Sequence, residues 1–211
     1  MKQYTFTTFG LENLCLDDAA VPEPGPGEIR VSMKAWSLNF RDLLVVTGAY
    51  NPRLPLPQSP LSDGAGVVSA VGDGVTDVAV GDRVISHFVS GWIDGPYEAR
   101  YVTTTLGAPA TGVAAEEVVL PSHAVIPIPD GFDFAAAATL PIAALTAWNA
   151  LVVEGGLQPG QTVLTLGTGG VSIFALQLAK AMGARVIITS SSDTKLARCR
   201  DLGADGTVNY R

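Results

Sequence analysis

The feature that most constrains this chain is a glycine run, Gly167-Thr168-Gly169-Gly170-Val171-Ser172, set between two segments of different periodicity. Before it, Thr162–Leu166 is short, apolar and rich in β-formers, as a buried parallel strand is. After it, Val171–Met182 carries Phe174, Ala175, Leu178 and Met182 on one helical face, with Gly183 at the end. Arg185–Thr189 is a second strand, Asp193 caps a helix through Leu202, and Thr207–Asn209 is a third strand. Such a β-α-β-α-β series predicts a parallel sheet with crossover helices. A tight strand-to-helix turn needs a residue without Cβ, and a second glycine lets the backbone approach a pyrophosphate. The phosphate then meets unpaired N–H groups at the positive end of a helix. Gly167, Gly169, Gly170 and Val171 are the candidate contacts. An ordinary tight turn is the plain alternative, and Ser172 stands where the fingerprint prefers Gly or Ala.

The end of the second strand selects the cofactor. An NAD site wants a carboxylate there for the ribose 2′-hydroxyl. This chain has Thr189-Ser190-Ser191-Ser192, with Lys195 one turn further on. Hydroxyls and a positive charge suit a 2′-phosphate, so NADPH is favoured over NADH. Asp193 is better explained as a helix cap than as a ribose ligand.

The first half reads as strands and turns. Glu28–Leu38 alternates, with Ile29, Val31, Met33 and Ala35 on one face. Asn39 heads a short helix with Gly48 just beyond its end. Val84–Phe88 and Tyr97–Val102 are further strand candidates between Gly/Pro turns. The pattern predicts a compact barrel-like β domain over residues 1–126, followed by half of a nucleotide-binding domain over 127–211.

Composition supports a folded chain. Hydrophobic residues make up 47% and charged residues 16%, against roughly 25% charged in an average domain. The net charge of −7 argues against nucleic acid and against an anionic membrane surface as partners. Cys15 and Cys199 form no disulfide framework and read as reduced thiols of a cytoplasmic protein. The first ten residues lack an apolar core of signal-peptide length.

Across nearly its whole length the chain resembles the medium-chain dehydrogenase/reductases, in their zinc-free quinone oxidoreductase (zeta-crystallin-like) branch. The resemblance rests on Pro24–Glu28, Ser37–Asp42, Ser62–Val68, Val80–Val84, Ile128–Gly131, Ala144–Trp148, the glycine loop, and Leu202–Arg211. It implies a GroES-like catalytic domain and a Rossmann dinucleotide-binding domain, an α/β fold overall, with the active site in the cleft between them. Zinc relatives place metal ligands where this chain has Asn39, Ser62-Asp63 and a position near Ile142, and those side chains lack three convergent zinc donors. His87 and His123 match none of these positions. The resemblance places Asn39 and Tyr50 on the substrate side. Asn39 would donate to a carbonyl oxygen and Tyr50 would orient substrate or relay a proton. It places Thr146 near the nicotinamide and Tyr210 at the 2′-phosphate. Each has a plain alternative: helix cap for Asn39, packing for Tyr50, a bond to the preceding turn for Thr146.

The implied activity is hydride transfer from NADPH to a quinone or enone without zinc. A complete doubly wound domain has two βαβαβ halves, and this sequence carries one. Three readings follow: a quinone or enone reductase, a truncated and inactive member that keeps the fold, and an alcohol dehydrogenase-like enzyme. The resemblance also allows a homodimer, and the last strand is expected to be an open sheet edge.

Overall fold

The computed structural model describes all 211 residues. The chain forms two compact units, Met1–Ile142 and Ala143–Arg211. In the first, β1 (Lys2–Thr5) and β2 (Cys15–Asp18) form a hairpin. Then come β3 (Glu28–Ser37), α1 (Phe40–Val46), β4 (Asp63–Val71), β5 (Arg83–Ser86), β6 (Glu117–Pro121), β7 (Val125–Pro127) and α2 (Phe134–Ala138). The main sheet is antiparallel in the order β6-β3-β4-β5-β7. Ile29, Val31 and Met33 are buried, so the alternation read in β3 places its apolar face in the core with Val68, Val84, Val113 and Leu120. Gly66 is required where β4 pairs with β3 beside the register shift at Met33–Ala35, because a Cβ there would overlap the Ser32 carbonyl oxygen.

The sheet is not a closed barrel: β6 and β7 are its two edges and no ladder joins them. One helical turn, Ser122–Ala124, nonetheless connects these edges. Four peptide steps from Pro121 to Val125 reach at most about 14 Å. The sheet therefore curls until its edges meet at one corner, and the chain spends those residues on the turn rather than on pairing. The unit also continues past the boundary at residue 126. In α2, Ala137 and Ala138 are fully buried against Ala65, Ile85 and Ile128, so the segment to Ile142 packs with the first unit. Tyr97–Val102 is not a strand, because Ala99–Thr104 is a 3-10 segment. Tyr97 and Tyr101, four residues apart, close an aromatic cluster with Trp92 that a strand would pull apart.

The second unit holds α3 (Leu145–Trp148), β8 (Thr162–Thr165), α4 (Gly170–Ala181), β9 (Arg185–Ser190), α5 (Asp193–Asp201) and β10 (Gly206–Asn209). The three strands are parallel in the order β10-β9-β8. Leu176 and Ala179 of α4, and Leu196 and Cys199 of α5, pack on Val186 and Ile188 of β9. The buried stripe of α4 is Ala175, Leu176 and Ala179 rather than one running through Phe174 and Leu178. Two alanines let the helix lie close to the sheet, and that sets its rotation. The opposite sheet face is open, with Leu164 59% and Val208 48% exposed. The cap of α5 is Ser192, whose hydroxyl accepts from the Lys195 N–H, while Asp193 accepts from Asn209 Nδ2. No helix is long and apolar enough to cross a membrane.

Candidate functional site

In the first unit the site grows from the start of α1. Asn39 has extended backbone (φ −114°, ψ 154°), the geometry of a helix N-cap. Three residues on, Asp42 turns its Oδ2 back to accept from the Asn39 backbone N–H at 2.7 Å. The Asn39 side chain reaches out of the helix: its Nδ2 donates to Asp63 Oδ2 at 2.9 Å. Asp63 opens β4 and is 0% exposed, and its Oδ1 has no hydrogen-bond partner. Burial pushes its carboxyl up to about 7, with the charge of Asp42 adding to the rise. The Asn39 amide, the Ile142 backbone amide and Arg41 pull it the other way. Burial also raises Asp42, against the Asn39 N–H and Arg41.

Arg41 ties the surroundings together. Its guanidinium donates to Ser62 Oγ, the Leu106 carbonyl and the Ala108 carbonyl. It lies 4.7 Å from the centre of the Tyr50 ring and 5.0 Å from that of Phe88. Tyr50, 50% exposed, is thus set by Arg41. Asn39 bonds Asp63, and Arg41, packed on Tyr50, bonds Ser62, the residue next to Asp63 in the chain. Sequence reasoning missed Arg41 and Phe88. The available signal was Asn39-Phe-Arg-Asp42, an acid three residues after a helix-heading Asn, which is a capping-box spacing.

Zinc does not fit this donor set. Asn39, Ser62, Asp63 and Ile142 supply one carboxylate, already bonded to an amide, where a catalytic zinc needs three ligands. No group of three or more His, Cys, Asp or Glu is arranged to hold a metal.

In the second unit the glycine loop joins β8 to α4. Gly167 has φ +82°, which only glycine adopts without strain, and its N–H donates to Thr189 Oγ1 at 3.0 Å. A Cβ built on Gly169 meets nothing within 4 Å, so the loop's outer side is open. Gly170 and Val171 open the twelve-residue helix α4, whose first N–H groups have no partner within the helix. Ser172, the departure from the fingerprint, bonds the Leu166 carbonyl at 3.1 Å and ties the helix start to the strand end. Ser190 is buried, shares a hydrogen bond with Thr168 Oγ1 at 3.2 Å and accepts from the Ser192 N–H at 3.3 Å. It shapes the strand end. Ser191 is half-buried and Lys195 is exposed. Tyr210, 63% exposed, donates its backbone N–H to the Ser190 carbonyl. Thr146 is exposed on α3, with no side-chain hydrogen bond to the preceding turn. The loop glycines, Ser190, Ser191 and Tyr210 are therefore brought together, with Lys195 one helical turn along.

The sequence model of the alcohol dehydrogenase GroES-like domain family matches residues 25–130. The chain belongs to the medium-chain dehydrogenase/reductase superfamily. A second model, of the zinc-binding dehydrogenase family, matches residues 170–211. The chain is 44% identical over 205 residues to a zinc-type alcohol dehydrogenase-like protein of Schizosaccharomyces pombe, covering 96% of this chain and 59% of that one. It is 38% identical over 211 residues to a quinone oxidoreductase of Pseudomonas aeruginosa, covering 99% of this chain and 58% of that one. Among solved structures, a quinone oxidoreductase of Escherichia coli complexed with NADPH matches with TM-score 0.84 and 28% identity. That match covers 100% of this chain and 59% of the other. The relatives of this chain thus include both zinc-type alcohol dehydrogenase-like proteins and quinone oxidoreductases. It spans about three fifths of the length of these relatives.

Proposed function

We propose that this protein is an NADPH-dependent reductase of quinones or α,β-unsaturated carbonyls that works without a metal. The observation that carries this reading is the Asn39 amide held by Asp63, at a position where the resemblance implies a zinc ligand in metal-dependent relatives. An amide N–H can donate to an oxygen that gains negative charge, whereas an unactivated carbonyl calls for a stronger electrophile such as a metal. Quinones and enones are already electrophilic at the conjugated carbon, so they need position and one or two hydrogen bonds.

Bound NADPH supplies the hydride. The N–H groups at Gly169, Gly170 and Val171 would hold its pyrophosphate, and Ser191, Lys195 and Tyr210 its 2′-phosphate, with Thr146 at the carboxamide. In the first unit Asn39 would donate to the substrate oxygen and Tyr50 would orient the ring. The enzyme would work in the cytoplasm on a small molecule, as a monomer or homodimer.

The test is NADPH oxidation with a panel of quinones and enals, with and without a chelator. Turnover that survives the chelator is expected. Turnover only with simple alcohols and NAD⁺, lost to the chelator, would establish instead the alcohol dehydrogenase reading that the Schizosaccharomyces pombe relative favours. Full folding without NADPH binding would establish a non-catalytic member.

A further inference from the structure

We propose that Asp63 is a positioning residue that acts through Asn39, holding its side-chain amide so that the second N–H is presented to a substrate oxygen. The inference deepens the reading of Asn39 as the hydrogen-bond donor and rests on it.

Two separate acids hold Asn39. Asp42 accepts from its backbone N–H at 2.7 Å and so fixes where the residue sits at the head of α1. Asp63 accepts from Nδ2 at 2.9 Å and so fixes which way the amide faces. Nδ2 carries two hydrogens. One is taken by Asp63 and the other points away from it. Without Asp63 the amide could turn about its last torsion, whose preferences are broad, and present its oxygen instead. An oxygen facing a developing negative charge would repel it.

Asp63 is also an expensive way to build a core. It is 0% exposed, forms no ion pair, and leaves Oδ1 without a partner. The Arg41 Nη1 and Nη2 groups donate to Ser62, Leu106 and Ala108 rather than to Asp63. An apolar residue would fill the space at lower cost. The one side-chain partner of Asp63 is the Asn39 amide, with the Ile142 backbone amide also facing the carboxyl. Its raised pKa, about 7, is consistent with a group placed for geometry at the expense of solvation.

The test is a double-mutant cycle on turnover with NADPH and a quinone. Asp63→Leu is expected to lower kcat about 10–100-fold with the KM for NADPH unchanged. Asp63→Asn retains a carbonyl oxygen that can accept from Nδ2 and is expected to recover most of that loss. In the Asn39→Ala background, Asp63→Leu is expected to add little, because the group it positions is gone. Additive losses overturn the inference, since they would mean Asp63 acts on the fold or on another group. A second readout does not use turnover. The two side-chain amide protons of Asn39 should be well separated by NMR in the native protein and should converge in Asp63→Leu. Unmoved resonances overturn the inference even if activity falls. Unchanged turnover in Asn39→Ala overturns the donor reading itself, and the NMR result then shows separately whether Asp63 orients the amide.

Discussion

The two units solve opposite problems with polar groups. In the first, Ser62, Asp63, Asp42 and Ser86 are buried, with Asn39 donating to both carboxylates, Arg41 to Ser62 Oγ and Ser86 to the Ser62 carbonyl. In the second, the glycine loop leaves Gly169 and Gly170 exposed at the mouth of α4. A buried network fixes a side chain to within a fraction of an ångström and pays in desolvation. An open backbone loop costs little but needs a ligand to satisfy its N–H groups. Positioning a donor calls for the first, and cradling a phosphate calls for the second.

Glycine substitution should break this contrast most sharply. Gly66→Ala sets a Cβ against the Ser32 carbonyl in the pairing of β3 with β4. It should cost about 3 kcal/mol or more, read by denaturant unfolding. Gly169→Ala meets no atom within 4 Å and has an ordinary φ of −81°. Its melting temperature should hold while NADPH affinity falls about 10–30-fold, read by tryptophan fluorescence quenching. A melting temperature that falls as far as that of Gly66→Ala would refute the picture of an open loop.

Removing Arg41 should sharpen the account of the first unit. Arg41→Met leaves the Ala108 carbonyl and the Ser62 hydroxyl oxygen without their donor, while the Leu106 carbonyl keeps only Ser62 Oγ. A loss of roughly 2–3 kcal/mol is expected, with NADPH binding by the second unit unchanged. A loss below about 0.5 kcal/mol, the range of an ordinary surface substitution, would show that Arg41 is not a tie.

Acidity should separate the units next. The Asp63 carboxyl is raised in the fold from its ordinary 3.8 to about 7. Between those values the folded chain binds more protons than the unfolded one. Asp63 therefore contributes stability that is full below about pH 4 and lost as pH rises through about 7. Asp63→Asn should be more stable than the native protein at pH 8 and gain little at pH 4, read by urea unfolding at both values. A gain that is equal at both pH values would contradict the shift.

The smallest effect is expected at Lys195. Lys195→Glu should weaken NADPH binding about tenfold and leave NADH nearly unaffected, because only NADPH carries the 2′-phosphate. Equal weakening of both would place Lys195 away from that phosphate.

Much of the fold was legible in local pattern. The alternation in Glu28–Ser37, the apolar strands β8 and β9 and the Gly167–Gly170 turn all announce themselves within a dozen residues, because strand period and glycine φ are local properties. Asp133 caps α2 in the same local way, its Oδ1 accepting from the Ala136 N–H three residues on at 2.7 Å. Tyr97–Val102 misled because β-formers there answer to aromatic packing rather than to a ladder. Asp193 misled because Ser192, one residue earlier, is as good a cap.

The site divides along the same line. By itself the sequence determined the glycine loop, the hydroxyl-rich strand end and Asn39 at a helix start. Only the tertiary structure decided that Asn39 turns its amide to Asp63, that Ser190 is spent on the strand end, that Arg41 carries Tyr50 and Phe88, and that the sheet curls without closing. The physical reason is range. Turns, caps and periodicity depend on neighbours a few residues away, whereas the partner of a buried polar group is chosen by whichever strand packing delivers to it.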